Sequence, residues 1–202
     1  MVKNPKIILI GGASYVGKSA LSLELGKKLK ISQIVDVDVV REAIRGFSSK
    51  NDQPYLYYNS TTAWEHVNDD SEMSVICSFI KYCESILLSI IRIIERAYVL
   101  GKDTIIEGVQ IIPSFFEEYL KKKNFHLIMV GCSEKNHLLN IARRKKEFGG
   151  INPKRFYERF PKARIIQDYL LQDAKTNNVP CVVNCDLVKT RNQILKLLVK
   201  GK

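Results

Sequence analysis

Residues Gly12-Ala13-Ser14-Tyr15-Val16-Gly17-Lys18-Ser19 carry the pattern G-x-x-x-x-G-K-S, the Walker A loop that wraps the phosphates of a nucleoside triphosphate. The chemistry depends on that order of residue types. Glycines let the chain turn tightly, so successive backbone N–H groups point inward as an anion nest. A helix opening at Lys18 adds the positive end of its dipole at the same point. Lys18 is placed to reach the β- and γ-phosphate oxygens, and the Ser19 hydroxyl to hold Mg²⁺. The apolar run Lys6–Ile10 before the loop and the helix-forming segment Ala20–Lys30 after it supply the strand and helix the motif needs. Tyr15 stands where many such loops have glycine, so either its φ is ordinary or the loop carries strain.

Acidic and basic residues elsewhere fit a phosphoryl-transfer site. Ile34–Asp38 reads as a short buried strand, which would put Asp36 and Asp38 on one face. Asp38 could take the proton of a substrate hydroxyl or orient it; the plain alternative is a helix cap ahead of Val39. Asp36 is either structural or an outer partner of the Mg²⁺. Arg41 and Arg45, four apart, could grip a substrate phosphate or carboxylate, or could form a solvated helix face. Glu107 closes a third strand, Asp103–Glu107, where it could contact Mg²⁺-bound water or substrate, or simply be salt-bridged. A basic segment, about 143–164, flanks a hinge at Gly149-Gly150 and Pro153. Read as a lid, it offers Arg143 to the nucleotide, Arg155 and Arg159 to the transferring phosphoryl group and Arg164 to the acceptor, against an exposed basic surface as the alternative.

The elements that must position these residues alternate. Val39–Arg45 turns helical, and Phe47–Ser71, with Tyr55, Tyr57, Tyr58 and Trp64, is a polar and aromatic insert on the substrate side. From Ser71 to Gly101, apolar residues recur at intervals of three and four, which is one face of a long core helix. A short helix at 115–122, a strand at 125–130, a helix at 134–146 capped by Ser133, and a helix at 154–175 bent near Pro161 follow. A strand at 179–183 and an amphipathic helix at 190–199 complete the chain. Such alternation implies a three-layer α/β/α domain over residues 1–202, with a parallel sheet and ligands at the carboxyl ends of its strands.

The chain of 202 residues has a net charge of +11, which favours anionic ligands without choosing among nucleotides, phosphorylated metabolites and nucleic acid. Cys77, Cys83, Cys132, Cys181 and Cys185 form no C-x-x-C pair and read as buried free thiols in a reducing cytoplasm. His66, His126 and His137 are isolated in sequence. No signal peptide is read at the N-terminus, and Arg92, Glu95 and Arg96 are expected to break the apolar stretch 86–100 short of a membrane span.

The order of motifs resembles the small P-loop kinases of the nucleoside-monophosphate-kinase type and, more closely, the archaeal 2-phosphoglycerate kinase family. The similar stretches are GGASYVGKS (11–19), VDVDVVREAIRG (35–46), IIEGVQIIP (105–113), RFYERFPKARIIQDYLLQDA (155–174) and VPCVVN (179–184). The resemblance implies a five-stranded parallel sheet of order 2-3-1-4-5, ATP and Mg²⁺ as cofactors, and a small phosphorylated hydroxy acid as acceptor. Both 2-phosphoglycerate and, from a related archaeal activity, mevalonate 3-phosphate fit that description, each offering a primary hydroxyl. Two positions depart from the family's usual pattern: Tyr15 lies near a common Gly, and Gln110 near a common His. Many members also carry a further N-terminal regulatory domain, which these residues do not include. A nucleic-acid or nucleotide kinase, or an RNA-binding P-loop protein, is the competing reading, drawing on the charge and the aromatic insert. A GTPase is disfavoured by the lack of an N-K-x-D motif. Nucleic acid and membrane are not expected partners, and a homodimer stays open.

Overall fold

Short runs rich in Ile, Val and Leu build one parallel sheet: β1 (Ile7–Gly11), β2 (Gln33–Asp36), β3 (Thr104–Gly108), β4 (Phe125–Gly131) and β5 (Cys181–Val183). Its order is β2-β3-β1-β4-β5, as the resemblance implied. The computed structural model describes residues 4–147 and 153–200, except for the side chains of 144–147, 153–156 and 200. The Gly149-Gly150 hinge and the Arg155 side chain lie outside the described residues. All residues of β1 and β3 are buried because parallel strands are covered on both faces, so they read as unbroken apolar runs.

The helices are α1 (Lys18–Leu29), α2 (Val37–Arg45), α3 (Glu72–Leu100), α4 (Glu117–Leu120), α5 (Glu134–Glu147), α6 (Pro153–Thr176) and α7 (Leu187–Lys200). They lie on both sides of the sheet: α1 packs with α7, and α6 lies against β4 and β5 with α3 alongside. In α3 the three-and-four spacing buries Val75, Phe79, Cys83, Ile86, Ile90 and Ile94 along one face. Ser71 caps its start by accepting from the Ser74 N–H, and Gly101 ends it in the left-handed conformation at φ 62°. By length and composition α3 is apolar enough to cross a membrane; its charges at 92–96 leave the earlier apolar window intact. Here that apolar face packs against α6 and the insert instead.

Local differences from the sequence expectations have local causes. β2 stops at Asp36, because the Asp36 carboxylate accepts the Asp38 N–H at 2.8 Å and starts α2 at Val37. Asp36 and Asp38 therefore do not share a strand face. Likewise α7 begins at Leu187, its first turn tied by the Lys189 N–H to Asp186 Oδ1 at 2.8 Å. The expected helix at 115–122 is a 3-10 turn, Pro113–Phe116, followed by α4. The helix expected at 154–175 is present as α6, with Pro161 inside it. All five thiols are free, but only Cys83 and Cys132 are buried; Cys77, Cys181 and Cys185 are exposed.

The face of α3 that the sequence pattern selects should carry its stability. Ile86→Ala, at a fully buried position, is expected to cost about 2–5 kcal/mol. Leu88→Ala, at 69% exposure two residues on, should stay within about 0.5 kcal/mol by urea unfolding.

Candidate active site

Parallel register brings the carboxyl ends of the central strands into line. Ile10, Glu107 and Asp36 are neighbours across β1, β3 and β2, so the residues after them open onto one edge. From β1 the chain enters the loop Gly12–Ser19. Gly12 at φ 144° and Gly17 at φ 94° adopt backbone angles that side-chain-bearing residues avoid. A Cβ on Gly12 would also fall 2.2 Å from the Val130 carbonyl oxygen. Tyr15 sits at φ 64°, so of the two sequence alternatives the loop takes the strained one, at a cost of about 1–2 kcal/mol.

The loop is held open from outside by side chains distant in sequence. His137 Nε2 donates to the Ser14 carbonyl at 2.6 Å, Asn140 Nδ2 to the Tyr15 carbonyl at 2.9 Å and Asn184 Nδ2 to the Val16 carbonyl at 2.8 Å. With consecutive carbonyls tethered outward, the intervening amides are left to the loop's interior, the arrangement an oxyanion ligand requires. His137 and Asn140 share a face of α5 at i, i+3, and Asn184 follows β5. None was singled out from sequence; the i, i+3 spacing after the Ser133 cap was the available signal. Burial lowers the His137 pKa, Arg164 and Lys18 add to this, and the Ser14 contact opposes it. The ring is therefore biased to the neutral form, with Nε2 carrying the proton it donates.

Lys18 is buried to 9% exposure, and its Nζ donates to the Ala13 carbonyl at 2.9 Å. The Ser19 hydroxyl donates to the Glu107 carboxylate. Glu107 is buried, and its pKa is raised by burial, with Asp36 and Asp38 pushing the same way and Lys18 and Ser19 pulling it back. A buried Glu107 carboxylate beside a hydroxyl, with the Asp36 and Asp38 carboxylates near enough to act on it, suits a divalent cation. Among the described residues there is no cluster of three or more metal-ligating side chains. Mg²⁺ does not need one, since it takes one or two carboxylates and completes its octahedron with water and phosphate oxygens. Ser19 with Glu107 or Asp36 fits that donor set.

Asp38, free of the capping role that Asp36 fills, accepts Gln110 Nε2 at 2.8 Å and lies 3.9 Å from Arg41 Nη1. Arg41 is largely committed to protein partners: Nη2 and Nε to Glu42, Nη1 to the Tyr58 carbonyl and the Tyr82 hydroxyl, each of the latter at 3.2 Å. Arg45 pairs with Glu42 at 2.7 Å and stacks on Tyr57. The insert touches the loop through Ser60 Oγ, 3.2 Å from Ser14 Oγ. Its Tyr55 and Tyr58 pack on His66, so these aromatics hold the insert together.

The basic segment divides. Arg143 is exposed one turn beyond Asn140 on α5. Arg164 donates to the Cys132 carbonyl at 2.9 Å, just after β4, and lies near enough to His137 to act on its charge. Arg159 lines a cavity of about 270 Å³ with Thr61, Trp64 and Lys162, between α6 and the insert. Lys162 bonds to the Asp70 carbonyl at 2.7 Å and lies over the Trp64 ring, tying α6 to the insert.

No family model matches the chain. Among curated proteins it is similar to the 2-phosphoglycerate kinase of Methanothermobacter thermautotrophicus, 33% identical over 98% of this chain and 67% of that protein. It is also similar to the 2-phosphoglycerate kinase of Methanocaldococcus jannaschii, 30% identical over 98% of this chain and 64% of that protein. The chain thus spans about two thirds of these relatives' length. Among solved structures it is similar to a shikimate kinase from Acinetobacter baumannii, with TM-score 0.60 and 13% identity over 99% of this chain and 96% of that one. A gluconokinase from Sinorhizobium meliloti gives TM-score 0.54 and 13% identity over 98% and 94%. At that identity the likeness is one of fold.

The His137 strut predicts a pH dependence. A folded pKa below the ordinary imidazole value of about 6.5 means that the unfolded chain takes up the proton first. Stability is then full above that value and is lost as pH falls toward the folded pKa; His126, also lowered by burial, has the same sign. His137→Gln, which keeps an amide donor for Ser14, should show a smaller drop in Tm between about pH 7.5 and about pH 5.5 than the parent in calorimetry.

Proposed function

The chain belongs to the archaeal 2-phosphoglycerate kinase family, and from that premise we propose that it is an ATP- and Mg²⁺-dependent kinase. It transfers the γ-phosphate to the primary hydroxyl of a small phosphorylated carboxylic acid, with 2-phosphoglycerate the first candidate and mevalonate 3-phosphate the second. The observation that carries this reading is the meeting of Lys18, Ser19, Glu107 and Asp38 at one edge of the sheet, the last presenting a half-exposed carboxylate.

In this reading the amides of Gly12–Ser19 and the Lys18 ammonium bind the triphosphate. Ser19, with Glu107 or Asp36, would hold Mg²⁺, whose charge would offset that of the triphosphate. Asp38 orients the acceptor hydroxyl and takes its proton as the oxygen bonds to the γ-phosphorus. The bond to the β–γ bridging oxygen breaks, and ADP leaves. Arg159 from α6, and Arg155 and Arg143 from the basic segment, serve as the lid that closes over the transferring group, while Arg164 steadies the β4 edge of the site and is kept as an acceptor contact. Arg41 offers its remaining guanidinium hydrogen to the acceptor while bracing Asp38. The insert with Trp64 walls the acceptor side. Free thiols support a cytoplasmic setting.

The test is ADP formation from Mg·ATP with 2-phosphoglycerate or mevalonate 3-phosphate as acceptor. Turnover with neither, together with RNA binding that weakens steeply with salt, would favour the nucleic-acid reading that the net charge of +11 suggests. Asp38→Asn should lower kcat by about 10²–10⁴-fold with ATP binding retained. Arg159→Ala should lower kcat more than ATP affinity; an unchanged kcat would remove it from the lid.

A further inference from the structure

Gln110 follows β3 and is fully buried. Its Nε2 donates one hydrogen to Asp38 Oδ1 at 2.8 Å and the other to the Tyr82 hydroxyl at 2.6 Å. Tyr82 is itself buried in α3 and receives Arg41 Nη1 at 3.2 Å on the same oxygen. The amide orientation is forced: with its carbonyl in place of the nitrogen, an acceptor would face the Asp38 carboxylate. The Gln110 carbonyl oxygen is buried and has no hydrogen-bond partner among the described residues. It lies over Gly108, where an added Cβ would come within 2.6 Å of it. An unpaired buried carbonyl is destabilising, and a leucine or methionine would fill the space without it. The side chain is therefore retained for its donor end.

We propose that Gln110, locked by Tyr82, is a positioning residue that fixes Asp38 Oδ1 so that Oδ2 is presented to the acceptor hydroxyl. The proposal rests on the kinase reading above for the role of Asp38. Asp38 Oδ2 has no partner among the described residues, and the Asp38 side chain is 60% exposed, so one oxygen is anchored inside while the carboxylate still reaches the site. α3 thereby acts on the chemistry from the core, through a phenol and an amide, without touching substrate. Burial raises the Tyr82 phenol further above its ordinary value, so it remains a neutral, fixed partner.

The experiment is a double-mutant cycle read by kcat and KM in the 2-phosphoglycerate assay. Gln110→Ala should lower kcat about 10–100-fold with the KM for ATP within about twofold, the scale of a misplaced catalytic group. Tyr82→Phe should act in the same direction by about 3–10-fold. In an Asp38→Ala background, adding Gln110→Ala should change kcat by less than about threefold, because a residue acting through Asp38 has nothing left to position. Additive losses would overturn the proposal and assign Gln110 to structure alone. If Asp38→Ala keeps normal turnover, the role of Asp38 fails instead, which is a separate outcome. Should the parent not turn over this acceptor, the contact is read directly by ¹⁵N NMR. The Gln110 side-chain amide resonances should move between the parent and Asp38→Asn at a single pH; an amide indifferent to the Asp38 substitution overturns the proposal.

Discussion

A phosphate loop is a line of peptide dipoles that would rather turn their carbonyls toward any available donor, including one another. In this chain the carbonyls of Ser14, Tyr15 and Val16 are each claimed from behind by His137, Asn140 and Asn184. That outward tether is the constraint on which the site depends. It leaves the intervening amides free for an anion, and it braces a loop in which Tyr15 takes a left-handed conformation. Because the tethers come from α5 and from the end of β5, the shape of the loop is coupled to the docking of the C-terminal half of the chain.

The same edge collects negative charge. Glu107 is buried beside Ser19 and Lys18, with Asp36 and Asp38 near enough to raise its pKa. A buried carboxylate beside two further, exposed ones is costly to ionise, and a bound cation or a positively charged side chain relieves that cost. The two aspartates have divided their work. Asp36 closes β2 and starts α2 with a backbone contact, whereas Asp38, in the first turn of α2, is bridged to the core through Gln110 and Tyr82. Along α3, the residues that make the hydrophobic core and the one that supports a site side chain belong to a single helical face.

The insert's polar and aromatic residues are engaged mainly in packing. Tyr55, Tyr58 and His66 pack together, Trp64 donates its Nε1 hydrogen to the Thr61 carbonyl, and Lys162 ties Asp70 to α6. These contacts make the insert continuous with the basic segment, so a motion of α6 would be felt there.

Patterns written over a few neighbouring residues were legible in the sequence: the phosphate loop with its lysine and serine, the long amphipathic helix, the Ser133 cap and the alternation that implies a parallel sheet. Each rests on backbone geometry with a short period, which residue types record directly. Which aspartate caps and which faces the site turned on a two-residue difference in where β2 ends, and a side-chain-to-backbone bond decided it. His137 looked isolated because its partner is 123 positions away, and Asn184 lies 168 from the carbonyl it holds. Gln110 stood out in sequence only as a departure within the 105–113 stretch and Tyr82 not at all; the Tyr82–Gln110–Asp38 chain forms only once β3, α2 and α3 have packed. Local propensity is a property of the chain, but the pairing of distant polar groups is a property of the fold, because burial leaves each of them no other partner.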